Sequence, residues 1–99
     1  MATVLVDAEN VRRSLWPNIG RRELEELVEA WAGREGHRAL VVFEGEESAD
    51  DWIARWAADP EGPYWLVTSD RGLRERAAAR AERVIGGGAF ARLLRDLTA

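Results

Sequence analysis

Continuous apolar runs that lead into a carboxylate are the feature that most constrains the fold of this chain. Val4–Val6 lead directly into Asp7 and Ala39–Phe43 into Glu44, whereas Tyr64–Val67 lead to Asp70 through Thr68 and Ser69. A strand that is apolar on both faces belongs to a parallel sheet covered by helices on both sides. The sequence therefore predicts an α/β fold with acidic residues where the strands end.

Helical spacing of apolar residues fills the segments between these strands. We predict strands over Thr3–Asp7, Ala39–Phe43, Tyr64–Thr68 and Arg83–Ile85, and a loop through Trp16-Pro17-Asn18 after the first strand. Helices are predicted over Arg21–Ala32, from the Ser48 cap to before Pro60, from Asp70 to about Ala81, and over Phe90–Leu97. Gly33 and Gly36 are expected to end the first of these helices.

Alternating strands and helices predict right-handed crossovers and a parallel sheet in the order 2-1-3-4, within a three-layer α/β/α sandwich. Strands one and three then lie side by side, and their helices leave on opposite faces. Such a switch point is where open α/β sheets bind ligands. A length of 99 residues with 46% hydrophobic content fits a single domain over 1–99.

Composition excludes several kinds of site. The chain has no cysteine, no lysine and one histidine, so disulfides, thiolate zinc sites, Schiff-base chemistry and lysine phosphate loops are ruled out. The apolar runs are too short to cross a membrane, and we expect a cytoplasmic protein. A net charge of −4 is unfavourable for nucleic-acid binding unless a cation fills an acidic site.

Carboxylates from separate segments are expected to meet at the switch point. Asp7 and Asp70 follow neighbouring strands, and Asp50 lies at the start of a helix. Carboxylates held together repel unless a proton or a divalent cation lies between them, and oxygen ligands favour Mg²⁺ or Mn²⁺. Each residue also has a structural alternative, since Asp70 can cap a helix, Asp51 can complete a capping box and Asn10 can form a turn.

The motifs resemble those of the NYN-domain nucleases, the YacP-like branch of the PIN-like superfamily. Asp7-Ala8-Glu9-Asn10 is similar to the family's Asp-x-x-Asn opening, and Glu47-Ser48-Ala49-Asp50-Asp51-Trp52-Ile53 to its Glu-Thr-Ala-Asp-x-x-Ile helix start. Thr68-Ser69-Asp70 resembles its Thr-Ser-Asp strand end, so the matching segments span nearly the whole chain.

The resemblance implies a metal-dependent endoribonuclease that hydrolyses RNA, expected to be single-stranded, by in-line attack of water and leaves a 5′-phosphate. It implies Asp7, Asp50 and Asp70 as ligands of Mg²⁺ or Mn²⁺, with Glu44 ranked below them because relatives have aspartate there. By the same carry-over, Asn10 orients the site or a water molecule. Thr68 and Ser69 are expected to bond the phosphate or a water molecule.

Arginines beside this site are candidates for phosphate contacts or for a solvated face. They are Arg12 and Arg13 after the first strand, and Arg71, Arg74 and Arg76 after Asp70. Trp16 either stacks on a base or packs over the sheet. Because the chain is shorter than most family members, a homodimer or a partner protein is a candidate for gripping the substrate.

Two alternatives stay open. The first is a catalytically inactive PIN-like module that binds RNA or a protein. The second is a phosphatase of the Asp-x-Asp type, which the glutamate at position 9 disfavours.

Overall fold

The computed structural model describes residues 1–15 and 19–98 of the chain. In chain order the elements are β1 (Thr3–Asp7), α1 (Ala8–Arg13), α2 (Arg21–Glu35), β2 (Arg38–Val42), α3 (Ala49–Ala58), β3 (Tyr64–Val67), α4 (Arg71–Ala77), β4 (Arg83–Ile85) and α5 (Gly87–Thr98). Trp16, for which base stacking is one of two predictions, lies outside the described residues, as does the rest of the predicted Trp16-Pro17-Asn18 loop.

The four strands form one parallel sheet in the order β2-β1-β3-β4, which confirms the predicted topology. The register places Leu5 of β1 between Leu40 of β2 and Leu66 of β3. All three side chains are apolar because the central strand is covered on both faces. The carboxyl ends of β1 and β3 are therefore neighbours.

Two apolar clusters cover the two faces of the sheet, one on each face. Val4 and Val6 pack with residues of α1, α2 and α5, whereas Leu5 and Leu66 pack with residues of α3 and α4. Successive side chains of a strand point to opposite faces, so Asp7 shares the α3/α4 face with Leu5. This alternation aims the last side chain of β1 toward the helices that carry the other two aspartates.

The predicted loop directly after β1 is wrong, because α1 begins at Ala8 without a break. Asp7 is the extended residue before the helix, and Ala8 and Val11 are buried three residues apart on one face. A helix of six residues is too short to show the helical periodicity by which the longer helices were predicted. The prediction of a loop therefore missed it.

Other helix ends also differ from the prediction. Helix α2 continues through Gly33 and ends before Gly36, whose φ of 76° is left-handed and favours glycine. Helix α4 ends at Ala77 rather than near Ala81, although alanine favours helix. The chain must turn there to reach β4, and the Glu82 N–H donates to the Tyr64 carbonyl. Helix α5 begins at Gly87, three residues earlier than predicted.

Among the described helices, none combines the length and the apolar character that a membrane-spanning helix needs.

Candidate active site at the carboxyl ends of the strands

Asp7 is a buried carboxylate at the end of the central strand. Its side chain belongs to a residue that is 5% exposed, and its Oδ2 accepts a hydrogen bond of 2.8 Å from the Thr68 hydroxyl, which is fully buried. Thr68 follows β3 on the same face of the sheet, so neighbouring parallel strands bring together residues 61 positions apart. A buried carboxylate requires a partner of this kind.

Thr68 also connects Asp7 to the third predicted aspartate. Its Oγ1 accepts a 3.1 Å hydrogen bond from the Asp70 N–H. The exposed Asp70 caps α4, because its Oδ1 accepts from the Leu73 N–H at 2.9 Å. The prediction that Asp70 caps a helix is confirmed. Capping uses one carboxylate oxygen, and a carboxylate has a second one with which to accept.

Asp50 is placed by the first turn of α3. Ser48 is the N-cap, and its hydroxyl accepts from the Asp51 N–H at 3.1 Å, which confirms the predicted capping interaction. The next two carboxylates of the helix then diverge. The exposed Asp51 accepts from Arg76 of α4 at 2.8 Å, whereas the charges of Asp70 and Glu44 raise the pKa of the half-buried Asp50 carboxyl.

Asn10 joins three elements around the same edge. Its Oδ1 accepts a 2.9 Å hydrogen bond from the Ser69 N–H, and the Ser69 hydroxyl accepts one of 2.8 Å from the Gly87 N–H. A Cβ atom at position 87 would overlap Asn10 Oδ1 and displace it from its hydrogen bond with Ser69. Glycine at position 87 therefore lets α5 approach α1 and the end of β3 with that bond intact.

The electrostatics of the site are those of like charges held together. Burial raises the pKa of the Asp7 carboxyl above its usual value, and the charges of Asp50 and Asp70 raise it further, against the Thr68 hydrogen bond. Burial also raises the pKa of the Asp50 carboxyl, with added repulsion from Asp70 and Glu44. The predicted carboxylates are therefore close enough to repel one another.

The predicted phosphate-binding arginines occupy different positions. Arg12 forms hydrogen bonds of 2.9 and 3.0 Å with both carboxylate oxygens of Glu9, and its Nε donates to the Ile19 carbonyl. These contacts hold α1 to the following segment. Arg13 is exposed near Asp7, and its charge opposes the rise in the pKa of that carboxyl. Arg71 is exposed at the first position of α4.

Glu44, the lower-ranked candidate ligand, is exposed beyond the end of β2. Its Oε1 accepts from the Ala49 N–H at 3.3 Å, next to Asp50. In the described part of the chain, no group of three histidine, aspartate or glutamate side chains is arranged to hold a metal ion. The carboxylates interact through their charges without converging on one point.

The donor set nevertheless suits a hard divalent cation. Asp7 uses Oδ2 and Asp70 uses Oδ1 in the hydrogen bonds above, and no hydrogen bond among the described residues engages the second oxygen of either carboxylate. Oxygen ligands without cysteine or histidine match the preferences of Mg²⁺ and Mn²⁺. The residues therefore fit such an ion by chemistry, although the side chains are not drawn together around one.

Gly87 contributes to this edge but was not predicted as a site residue. The run Gly86-Gly87-Gly88 was a detectable signal, since consecutive glycines mark turns or close backbone approaches. For Arg74, the sequence indicated only one of several candidate arginines on a helix.

No family model, no curated protein and no solved structure matches the chain.

Proposed function

We propose that this chain is a metal-dependent endoribonuclease of the NYN, PIN-like kind, acting in the cytoplasm on single-stranded RNA. The observation that carries the proposal is the buried Asp7 carboxyl at the switch point of the sheet, which Thr68 links to the Asp70 N–H and whose pKa is raised by burial and by the charges of Asp50 and Asp70. A fold gains no stability from charges that raise the pKa of a buried carboxyl. Perturbed groups of this kind gather at functional sites.

The proposed site divides its tasks among four residues. Asp7, Asp50 and Asp70 would hold Mg²⁺ or Mn²⁺, which when bound supplies charge neutralisation at the phosphodiester and activation of water. Asn10 is fixed through its Oδ1, which leaves its amide N–H groups as donors toward a water molecule or a phosphate oxygen. The proposal gives Asn10 this orienting role.

Thr68 and Ser69 support the site in different ways. The Thr68 hydroxyl is fully buried between Asp7 and the Asp70 N–H, so it positions carboxylates and has no surface for substrate. Ser69 is exposed, and its hydroxyl accepts from Gly87 N–H. The Ser69 hydroxyl proton can still be donated to a phosphate oxygen.

A second candidate is a module that binds RNA or a protein without cutting. The observation in its favour is that, within the described residues, no three side chains are arranged to hold a metal ion. The two candidates differ in metal binding. A cutting enzyme must draw Asp7, Asp50 and Asp70 toward a cation, whereas a binding module has no such requirement.

The test is cleavage of labelled single-stranded RNA and of the same sequence as DNA, with Mn²⁺, Mg²⁺ or chelator. Wild type is compared with Asp70→Asn, in which asparagine keeps the helix cap and removes the charge. Asp96→Asn, at an exposed position of α5, is the matched control. We expect metal-dependent RNA cutting by wild type and control, and none by Asp70→Asn.

Calorimetric titration with Mn²⁺ separates the two candidates. Metal binding that disappears in Asp70→Asn but persists in Asp96→Asn would support the enzyme. Failure of folded wild type both to cut RNA and to bind Mn²⁺ would eliminate the enzyme in favour of the binding module.

A further inference from the structure

Arg74 is a half-buried arginine that contacts the main chain of the proposed site. Its Nε donates a 2.9 Å hydrogen bond to the carbonyl oxygen of Thr68. The hydroxyl of the same residue bonds Asp7, so the guanidinium is fixed one residue away from the carboxylates. Through this contact, α4 places the positive charge of the Arg74 guanidinium at the carboxyl end of β3.

Gly86 shows on which side of β3 the guanidinium lies. A Cβ atom built at Gly86 would be 3.2 Å from Ser69 Oγ and 3.4 Å from Arg74 Nη2. Gly86 directly follows β4, so the guanidinium and the Ser69 hydroxyl both border the space above the β3–β4 pair. A larger side chain at position 86 would have to displace one of them.

In the described part of the chain, no carboxylate forms an ion pair with Arg74, whereas Arg12 pairs with Glu9 and Arg76 with Asp51. A guanidinium has five N–H donors, and Nε is the one for which the described residues supply an acceptor. A half-buried guanidinium that retains free donors is suited to bind an anion, and its fork matches a phosphate.

At the carboxyl ends of the strands, negative and positive side chains therefore lie on different sides. Asp7 and Asp70 follow β1 and β3, whereas Arg74 and Ser69 border the space above β3 and β4. Adjacent strands lie about 4.8 Å apart, so the carboxylates after β1 and β3 and the guanidinium beside β3 and β4 are neighbours at this end of the sheet. If one phosphate of an RNA strand lies at Asp7 and Asp70, the next phosphate of that strand would lie near Arg74.

We propose that Arg74 binds the phosphate adjacent to the one that is cut, so that the site engages at least two successive phosphates of an RNA strand. This inference rests on the proposed nuclease function and deepens it. It commits the substrate to an oligonucleotide that crosses the edge from β1 toward β4. A small phosphoester with one phosphate would leave Arg74 without its ligand.

The first test uses RNA in which single phosphates are replaced by uncharged methylphosphonates, on either side of the cleavage position. Neutralising the phosphate that Arg74 binds should lower kcat/KM of wild type about tenfold, the effect expected for loss of a charge-assisted contact. Arg74→Gln should show a similar loss on unmodified RNA and no further loss on the modified RNA.

Arg80→Gln is the matched control, because it removes the same charge elsewhere. Arg80 is exposed and lines a cavity beside Tyr64, the first residue of β3, at the opposite end of the sheet. We expect it to behave as wild type toward modified and unmodified RNA.

The second test measures binding without activity. Affinity for single-stranded RNA is measured by fluorescence anisotropy in chelator over a range of salt concentrations. Loss of one phosphate contact should reduce the slope of log K against log salt by about 0.7 for a single strand. Arg74→Gln should show this reduction, whereas Arg80→Gln and the charge-preserving Arg74→Lys should keep the wild-type slope.

The outcomes separate this inference from the function on which it rests. If wild type cuts RNA but Arg74→Gln keeps the wild-type slope and stays sensitive to methylphosphonates, the role of Arg74 is overturned and the nuclease stands. If folded wild type neither cuts nor binds RNA, both are overturned. Should Arg74→Gln fail to fold, wild type alone decides, because equal cleavage of unmodified RNA and of RNA neutralised at either neighbouring phosphate would overturn the inference.

Discussion

At the amino ends of the strands, polar groups meet partners of opposite character, whereas at the carboxyl ends like charges are held together. The amino end contains the Ala2 N–H, which donates to His37 Nδ1 at 3.1 Å, and Arg38, which pairs with Glu61 at 3.6 Å. The Tyr64 hydroxyl, also at this end, donates to the Ala77 carbonyl at 2.7 Å.

Aromatic packing closes the amino end further. Trp31 meets Phe90 edge to face with ring centroids 4.9 Å apart, and His37 lies 4.3 Å from Trp65. The Trp65 Nε1–H donates to Glu82, and the Arg83 guanidinium lies over the Trp65 ring. Each of these contacts stabilises the fold by itself.

The carboxyl end shows the reverse. Burial raises the pKa of the Asp7 and Asp50 carboxyls, and neighbouring carboxylates raise both further, so these charges oppose folding at neutral pH. The same chain thus satisfies its polar groups at one end of the sheet and leaves charge unbalanced at the other. The difference indicates that the amino end contributes to stability, and it supports the proposal that the carboxyl end binds a cation.

The largest expected effect is on the free energy of unfolding, from a substitution near the amino ends of the strands. Trp31 is 6% exposed, and Trp31→Ala should lower the free energy of unfolding by about 3 to 5 kcal/mol, the range for a large buried aromatic. Urea denaturation monitored by circular dichroism measures it. Trp52→Ala, at a half-buried position of α3, is the control and should cost less than half as much. Equal losses would contradict the assignment of stability to the amino end.

The next effect concerns activity and compares two adjacent aspartates. Asp50→Asn should lower metal-dependent RNA cleavage at least about a hundredfold, which corresponds to roughly 2.7 kcal/mol of transition-state stabilisation. Asp51→Asn removes the same charge one residue away, where the carboxylate pairs with Arg76, and should stay within about twofold of wild type. Initial rates with saturating Mn²⁺ decide it. Similar losses in both variants would mean that general acidity, and not the Asp50 position, matters.

A smaller effect should appear in stability at the carboxyl end. Asp7→Asn removes a buried charge but keeps an oxygen that accepts from Thr68, so in chelator it should raise stability by roughly 1 kcal/mol, or Tm by about 4 °C or more. Mn²⁺ should raise the Tm of wild type and not that of the variant. Thermal denaturation with and without metal measures both. A lower Tm of the variant in chelator would show that the charge stabilises the fold.

Much of this arrangement could be predicted because it depends on strand periodicity. The apolar runs through Val4–Val6 and Leu66–Val67 predict a central parallel pair, and the strand order places Asp7 beside Thr68. The Ser48 and Asp70 caps were also predictable, because capping is a local interaction with a short sequence signature.

Contacts between distant elements could not be predicted in this way. Helix α1 has only six residues, so it lacks a readable period, and the close approach of Gly87 to Asn10 depends on how α5 packs. Arg12 and Glu9 lie three positions apart within α1, so their pairing was missed together with that helix, and the sequence also could not show that Arg74 binds the Thr68 carbonyl. Side-chain partners of arginine depend on tertiary geometry, since the residue type is equally suited to all of them.

The smallest expected effect is on the pH dependence of stability, which should differ in sign between Asp51, which is paired with Arg76, and Asp7, which is repelled by other carboxylates. The pKa of the Asp7 carboxyl is raised above 3.8 in the folded state, so the folded state binds more protons than the unfolded chain. Stability therefore falls as pH rises from the unfolded value of 3.8 through the folded pKa. The stability gained by Asp7→Asn should therefore vanish at acidic pH and grow as pH rises.

Asp51 should show the opposite sign. Its hydrogen bond with Arg76 lowers the pKa of the Asp51 carboxyl, so the stability that it contributes is present above the unfolded value of 3.8 and is lost as pH falls through the folded pKa. Asp51→Asn should thus be slightly less stable than wild type at neutral pH and converge with it in acid. Urea titrations in chelator, at a series of pH values, compare the two variants. Curves of the same sign for both would mean that the Asp7 carboxylate is stabilised by its surroundings, as that of Asp51 is, and the contrast between the two ends of the sheet would fail.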